Sequence, residues 1–255
     1  VDHPAKIPAE GGEQPKPAPR AALPTTKNTP DLAPTDPQQD TVVDGLLQLM
    51  GQAKKDLLIV SPYFVPGPDM KQAFAAARAR GVRVRVLTNS LASNDAPIAH
   101  AGYARHRPEL LATGLELYEM RSELSGLRSV FQGTGSSGVT GSSGDSKAML
   151  HSKLLILDGR LLVIGSMNLD LRSQLQNTEI ALLIRSRSLS ARATEQIEAA
   201  LEDAAWRVEQ DSEGRLVWRA PKDSGLKDAT AEPDTSAPLR WLVRILGWFA
   251  PDHLL

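Results

Sequence analysis

The chain has 255 residues, which is enough for one or two domains of ordinary size. It contains no cysteine, which excludes disulfides and thiolate metal sites, and its net charge of −1 gives no global argument for binding nucleic acid. Hydrophobic residues make up 41% of the sequence, enough for a buried core, and no apolar run is long enough to span a bilayer.

The first forty residues differ from the rest of the chain in composition. They hold half of the eighteen prolines and show no helical or strand periodicity. Such a segment cannot bury enough apolar surface to offset its ordering entropy, so residues 1–38 are predicted to be a disordered linker. This linker and a first residue that is valine rather than methionine suggest a fragment whose preceding domain has been removed, although a processed or renumbered chain would look the same.

From residue 41 onward, predicted helices and strands alternate. The apolar spacing predicts helices over 41–55, 68–80 and 98–113, and strands in "DLLIVSPYF", "VRVRVLTNS" and "LELYEM". Gly81 is well placed to end the second helix, and Pro108 is predicted to break or restart the third. This alternation is typical of an α/β fold, an α/β/α sandwich in which helices cover both faces of a mixed, largely parallel sheet.

The second part of the chain begins with a flexible Gly/Ser loop, "GTGSSGVTGSSGDSK", followed by the apolar stretch 151–168. After it, "EIALLIRS" is predicted to be a buried strand, 190–206 an amphipathic helix, and "GRLVWRA" the end of the domain. These elements define one catalytic half-domain over 39–219. Residues 220–255 are predicted to form a polar linker and a C-terminal amphipathic segment.

The apolar stretch at 151–168 contains polar residues at regular positions. It reads "HSKLLILDGRLLVIGSMN", and its Asp158-Gly159 pair indicates a two-residue hairpin turn. With that turn Ser166 would lie opposite His151, on the face that also carries Lys153, with Asn168 one step further. The turn itself would place Asp158 on the order of 20 Å from His151, so a structural role at the turn is predicted for it.

These residue types together suit phosphoryl chemistry. An imidazole can attack phosphorus or pass a proton near neutral pH. An ammonium, an amide and a hydroxyl can hold phosphoryl oxygens while charge redistributes in the transition state. The stretch is therefore predicted to be part of a phosphodiester site, and no carboxylate–histidine cluster has the spacing of a metal site, so no metal or other cofactor is expected.

The same stretch resembles the phospholipase D superfamily. His151, Lys153 and Asp158, followed by Gly165, Ser166 and Asn168, match the family's HxKxxxxD(x6)GSxN signature, here called the HKD motif. The resemblance implies catalytic roles for these residues and for Glu179 in "NTEI", where the family carries an acid that orients the histidine. It extends over about 41–219, where "SPYFVPG", "LTNSLASND" and "LRSQLQNTE" look like the second half of a bacterial phospholipase D-type cardiolipin synthase.

Such enzymes carry two HKD motifs that build one site, whereas this chain shows one. The resemblance therefore implies phosphatidyl transfer through a phosphohistidine, with a missing N-terminal half or a second copy completing the site. It implies anionic phospholipids and a membrane surface as partners, and peripheral association with the bacterial inner membrane. In the terminal "PLRWLVRILGWFAP", Leu242, Ile245, Leu246 and Phe249 recur at helical spacing, which suits a helix in the membrane interface or one packed back on the domain.

Several alternatives stay open at this point. A phospholipase D-type hydrolase and a homodimeric HKD nuclease use the same motif, but aromatic residues make up only 4% of the chain, so nucleic acid is an unlikely partner. A catalytically silent lipid-binding half is disfavoured by the intact motif. In the "HAGY" stretch, His100 and Tyr103 are candidate substrate-binding residues, with a role on the helix surface as the alternative.

Overall fold

The computed structural model describes residues 42–122, 149–175 and 179–249. The predicted linker over 1–38 and the Gly/Ser loop lie outside the described residues. The helices are α1 Val42–Gly51, α2 Pro68–Ala79, α3 Pro97–Ala112, α4 Leu171–Leu175, α5 Arg187–Asp203 and α6 Ala237–Phe249. The strands are β1 Asp56–Val60, β2 Phe64–Val65, β3 Arg83–Asn89, β4 Glu116–Met120, β5 Leu154–Leu157, β6 Leu161–Gly165, β7 Leu169–Asp170, β8 Ala181–Arg185, β9 Ala205–Gln210 and β10 Leu216–Arg219.

Eight of these strands form one mixed sheet in the order β10-β9-β4-β3-β1-β5-β6-β8. The neighbours β1–β3 and β3–β4 are parallel, and the other pairs in this sheet are antiparallel. The short strands β2 and β7 form a separate parallel pair. The predicted α/β class is confirmed, and parallel pairing is confined to the centre of the sheet.

Helices cover both faces of the sheet, as the sequence predicts. On one face α1 and α2 pack their buried residues, among them Met50 and Phe74, into the largest apolar cluster of the described chain. On the other face α5 contributes Ile197 and Leu201 to a second cluster. Because successive residues of a strand point to opposite faces, β5 is apolar throughout: Leu155 lies in the first cluster and Ile156 in the second.

Two local predictions about the helices are wrong. Pro108 does not interrupt α3, which runs continuously from Pro97 to Ala112. A proline costs a helix one hydrogen bond, but the flanking turns are fixed by the burial of Arg107 and Leu110. The helix predicted over 190–206 begins earlier, where the Ser186 hydroxyl accepts a hydrogen bond from the Leu189 N–H at 3.3 Å.

The end of that predicted helix is instead a strand. Trp206 belongs to β9, where it pairs with Glu119 of the antiparallel strand β4. The amphipathic pattern before it continues smoothly into β9, so the sequence gives no signal for the change of structure. The switch depends on the free edge that β4 offers to a new strand.

The strand predicted to be buried at 179–186 is exposed. Within it, β8 is an edge strand that pairs with β6 alone, and its Leu182 and Leu183 are 60% and 53% exposed. A continuous apolar run indicates a strand covered on both faces. Here the run forms an edge that the described chain leaves uncovered.

The predicted polar linker after residue 220 is held against the domain. Glu232 lies against Arg107 and His100 of α3, and a bridge joins Trp218 to Ala229. The segment leads into α6, which packs along α3 through Val243 and the half-buried Leu239 and Leu246. No helix among the described residues is long and apolar enough to cross a membrane.

Candidate active site

The HKD motif lies on the β5–β6 hairpin and on the residues just before and after it. His151 precedes β5, its side chain is exposed, and the Lys153 ammonium donates a hydrogen bond to its backbone carbonyl oxygen at 2.9 Å. The backbone N–H of Gly165 donates to the Lys153 carbonyl oxygen at 3.1 Å, so the hairpin pairing extends to the motif. Both ends of the motif therefore lie at the same end of the hairpin.

The hairpin register differs by one residue from the predicted one. Leu157 pairs with Leu161, so the turn contains Asp158, Gly159 and Arg160 rather than two residues. Asp158 has a φ of 49° and Gly159 a φ of 59°, and both fit a left-handed turn. With the extra turn residue, Gly165 rather than Ile164 lies beside Lys153. The predictions that Ser166 lies directly opposite His151 and shares the sheet face of Lys153 are therefore wrong, because neighbouring residues of a strand point to opposite faces.

Ser166 is instead tied to the segment that carries Glu179. Its hydroxyl donates a hydrogen bond to the Glu179 carboxylate and accepts one from the Ile180 N–H at 3.1 Å. The neighbouring Gly165 is required for this approach, because a Cβ atom there would lie 2.6 Å from the Ile180 carbonyl oxygen. A glycine followed by a serine therefore fixes Glu179 at the end of β6.

Asn168 lies where the chain enters β7. The next residue, Leu169, pairs with Phe64 of β2, and its N–H donates to the Ser61 hydroxyl at 2.9 Å. The Oδ1 atom of Asn168 is buried and has no hydrogen-bond partner within the described chain. An amide oxygen held in this way is available to a donor that enters the site.

Two side chains near the motif were not singled out by sequence reasoning. The Tyr63 hydroxyl donates to the Asp95 carboxylate at 2.5 Å, and Tyr63 directly precedes the strand that pairs with β7. Burial, followed by this hydrogen bond and the negative charge of Asp95, raises the pKa of Tyr63 to about 12, so its hydroxyl stays protonated at neutral pH. In the sequence, Tyr63 and Asp95 were marked only by their position in "SPYF" and "SND", two stretches of the wider family resemblance.

Lys153 is half-buried in an acidic surrounding. Burial lowers the pKa of its ammonium, and nearby carboxylates oppose that shift; they belong to Glu179, Asp170 and Asp95. Asp170 is itself buried, which raises its pKa, although its carboxylate accepts a hydrogen bond from the Ser173 N–H at 2.6 Å. The site therefore combines one ammonium with several carboxyl groups. A phosphodiester bound there would place a further negative charge next to Lys153.

The backbone before His151 is fixed by β3. The Asn89 side chain accepts a hydrogen bond from the Leu150 N–H at 2.9 Å and donates to the Pro62 carbonyl oxygen at 3.3 Å. Asn89 is buried and thus connects the chain at His151 to the segment before Tyr63. Sequence reasoning placed Asn89 at the end of a strand and missed this role.

Asp158 lies at the opposite end of β5 from His151. Its carboxylate accepts hydrogen bonds from the backbone N–H groups of Lys54, Lys55 and Asp56, at distances from 2.8 to 3.2 Å. Burial raises the pKa of Asp158, but these donors outweigh it and the net pKa is lowered. The carboxylate joins the hairpin turn to the start of β1.

His100 and Tyr103 lie in a buried polar cluster within the domain. The His100 Nε2 atom is 2.9 Å from the Arg107 guanidinium, which also contacts Glu232 and lies 4.9 Å above the Tyr103 ring. Burial raises the pKa of Glu232, but the charge of Arg107 outweighs it and lowers the value to about 2. His100 and Tyr103 are at most 2% exposed, and their role in substrate binding stays a prediction.

The arrangement can support phosphoryl transfer. An exposed imidazole can act as nucleophile or proton carrier at a phosphodiester. The Lys153 ammonium and the Asn168 amide N–H groups are donors that could reach phosphoryl oxygens. Among the described residues, no group of three or more histidine, aspartate and glutamate side chains could hold a metal ion.

Comparisons with known proteins place this chain in a family. Residues 46–201 match the family model described as "Cardiolipin synthase, PLD-like domain". The chain is 38% identical to cardiolipin synthase C of Escherichia coli over 214 residues, which is 82% of this chain and 43% of that protein. It is 30% identical to cardiolipin synthase A of Pectobacterium carotovorum over 146 residues, or 57% of this chain and 24% of that protein.

A solved structure shows the same fold. Phosphatidylserine synthase of Haemophilus influenzae aligns with a TM-score of 0.53 and 15% identity over 83% of this chain and 43% of that one. The chain spans less than half the length of the curated relatives named above. The resemblance read from the HKD motif is thus confirmed, and the chain belongs to the phospholipase D-like domain family of the cardiolipin synthases.

Proposed function

We propose that this chain supplies one half-site of a phosphatidyltransferase of the cardiolipin synthase type. The observation that carries the proposal is the folded HKD motif: an exposed His151 beside the Lys153 ammonium, at the same end of the hairpin as the Ser166–Glu179 pair. Family membership supports a phospholipid as the substrate class.

The proposed reaction takes two steps. One histidine attacks the phosphorus of a phosphatidyl donor, a P–N bond forms, and the P–O bond to the leaving alcohol breaks while a second histidine donates a proton to that oxygen. An acceptor hydroxyl then gives its proton to the second histidine and attacks the phosphohistidine, which restores both imidazoles. The resemblance makes His151, as the histidine of a C-terminal motif, the expected acid–base partner.

The remaining motif residues have proposed supporting roles. Lys153 and Asn168 would hold phosphoryl oxygens, Lys153 through its half-buried ammonium and Asn168 through the N–H groups of its amide. Glu179 would orient the histidine, and its hydrogen bond with Ser166 would fix the position of that carboxylate. Asp158 would act through the fold, because its contacts are with the backbone before β1.

The second half-site would come from an N-terminal half or from a second copy of the chain. An apolar patch around Ser166 supports this part of the proposal: Ile164, Ile180 and Leu182 share its sheet face and are 42%, 74% and 60% exposed. Apolar side chains exposed side by side mark interaction surfaces. We propose that the partner half covers this patch at the edge of the sheet.

We also propose that the protein lies peripherally on a membrane. In α6, Trp241, Leu242 and Ile245 are 70%, 49% and 43% exposed. Arg240 and Arg244 line a smaller cavity of about 240 Å³ between α3 and α6. Exposed apolar and tryptophan side chains beside arginines suit the headgroup region of an anionic bilayer.

The decisive experiment removes the histidine in the protein that contains both half-sites. His151→Ala should lower phosphatidyl transfer by at least about a thousandfold, because it deletes a group that takes part in both steps. Lys153→Ala should also be severe, whereas Lys222→Ala, which removes an exposed lysine far from the motif in sequence, should retain activity. Thermal unfolding should show that the His151 variant stays folded, since that side chain is exposed.

Wild-type transfer by the His151 variant would contradict the proposal. Cleavage of single-stranded DNA by the wild-type protein, without turnover of phospholipid, would favour a nuclease instead.

A further inference from the structure

A concave apolar cavity of about 380 Å³ lies between α1 and the edge of the sheet. One wall is the inner side of α1, with Val42, Gly45 and Leu49. The other wall is formed by β5, β6 and β8, where Leu155, Val163 and Leu183 lie side by side on one face. Cavities of this size bind small apolar molecules or parts of larger ones.

The cavity is continuous with the HKD motif through Lys153. This lysine lines the cavity and belongs to the motif that would hold the phosphate. Among the described residues it is the only ionisable one in the lining. A ligand seated there would have its anionic group next to Lys153 and its apolar part along α1. A phospholipid has this arrangement of charge and apolar chain.

The composition of the walls disfavours a nucleic acid. Binding of single strands uses aromatic side chains on which bases stack, and the described part of the chain contributes no aromatic residue to the lining. Its strand walls also lie on the sheet face opposite the patch of Ile164, Ile180 and Leu182. A partner half that covers that patch therefore does not by itself fill the cavity.

We infer that this cavity binds an acyl chain of the phospholipid whose phosphodiester contacts Lys153. The inference rests on the proposed function and adds to it a binding site for the apolar part of the substrate. Each methylene group of an acyl chain that leaves water for an apolar site stabilises the complex, so the cavity would favour a lipid over its deacylated headgroup.

Glycines on α1 allow a matched test. A Cβ atom added at Gly45 meets nothing within 4 Å, so Gly45→Phe can extend into the cavity without a clash at its base. Gly51 lies on the same helix and is equally unobstructed, but it does not line the cavity, so Gly51→Phe is the control. Calorimetric titrations of the 255-residue chain would use dihexanoyl phosphatidylglycerol as a monomer and glycerophosphoglycerol, which has the same headgroup without chains.

The wild type and Gly51→Phe should bind the acylated ligand more tightly than glycerophosphoglycerol. Gly45→Phe should weaken binding of the acylated ligand by about tenfold, the effect expected from the loss of about two buried methylene groups. It should leave binding of glycerophosphoglycerol unchanged, because the contact with Lys153 remains.

Equal binding of both ligands by the wild type would overturn the inference. Unchanged binding of the acylated ligand by Gly45→Phe would overturn it as well. An equal weakening of both ligands would also overturn it, because the substitution would then act through the phosphate site. Chain-dependent binding combined with absent phosphatidyl transfer in the protein that contains both half-sites would reject the proposed function alone.

Discussion

Asp158 belongs to the HKD motif, and the contacts of its carboxylate lie within the fold. It stands in a left-handed turn with a φ of 49°, and its carboxylate accepts hydrogen bonds from three consecutive N–H groups. The side chain is only 8% exposed, so these charged hydrogen bonds are poorly replaced by water. The charge of Asp158 therefore stabilises the junction between the hairpin and β1.

We expect Asp158→Asn to lower the free energy of unfolding by about 1–3 kcal/mol at pH 7, since it removes a charged acceptor from these donors. Asparagine tolerates a positive φ, so the turn is retained. The pKa of Asp158 is lowered in the folded chain, so its contribution is present above the unfolded value of 3.8 and is lost as the pH falls through the lower folded value. Urea unfolding of both proteins from pH 7 to pH 2.5 tests whether the difference between their free energies of unfolding shrinks as the pH falls.

Equal stabilities at pH 7, or a difference that does not shrink in acid, would contradict this role. Among the surface carboxylates, Asp203 offers a control, since it is exposed and is the last residue of α5. Asp203→Asn should change stability by less than about 0.5 kcal/mol.

At the scale of elements, α6 has two apolar sides. Val243 is buried against Leu91 and Ala101, and the Arg105 guanidinium donates to the Gly247 carbonyl oxygen at 2.8 Å. The opposite side carries Trp241, which the described part of the chain leaves 70% exposed. The two alternatives drawn from the sequence, packing back on the domain and facing a membrane, thus use different sides of the same helix.

Replacing Trp241, Leu242 and Ile245 together by serine should reduce sedimentation with anionic liposomes by at least about tenfold, because their apolar surface would no longer enter the interface. The same variant should keep its thermal stability, since the three side chains are exposed. Val243→Ser is the matched control, and it should lower stability by about 1–3 kcal/mol through lost packing. Undiminished liposome binding by the triple variant would reject the membrane role of α6.

At the scale of the whole molecule, the edge strand β8 presents an exposed apolar surface. Its pairing with β6 leaves one side of the strand free in the described chain, and its apolar side chains stand beside the HKD motif. An apolar exposed edge is a surface on which another chain or domain can pack. A second half-site that packs on the exposed apolar side chains of β8 would thereby also lie close to His151.

We expect the 255-residue chain to be inactive by itself, or weakly active only as a dimer that brings two copies of His151 together. Leu182→Asp should abolish any such dimer, because it places a charge in the apolar patch, whereas Leu226→Asp alters another exposed leucine and should have no effect. Light scattering after size exclusion, combined with a phosphatidyl transfer assay, tests both statements. Full turnover by a monomeric sample would contradict the half-site proposal.

The sequence by itself predicted the elements whose signals are local. Helical and alternating periodicity located α1, α2 and β3, and Gly81, with a φ of 81°, lies just after α2 as expected of a residue that ends a helix. The HKD motif identified the family, because its fixed positions are dense and close together in the chain. Such signals depend on residues that are close together in the chain, so they can be recognised without knowing how the chain packs.

Only the tertiary structure decided which surfaces meet. The periodicity of "EIALLIRS" predicted a buried strand, but burial depends on neighbours, and β8 has a neighbour on one side only. Asp158-Gly159 predicted a two-residue turn, yet the hydrogen bonds of Asp158 with the start of β1 accompany a three-residue turn and a different register. Tyr63 and Asp95 are 32 residues apart and became visible as part of the site only after the chain folded, because such contacts depend on long-range packing that no local pattern encodes.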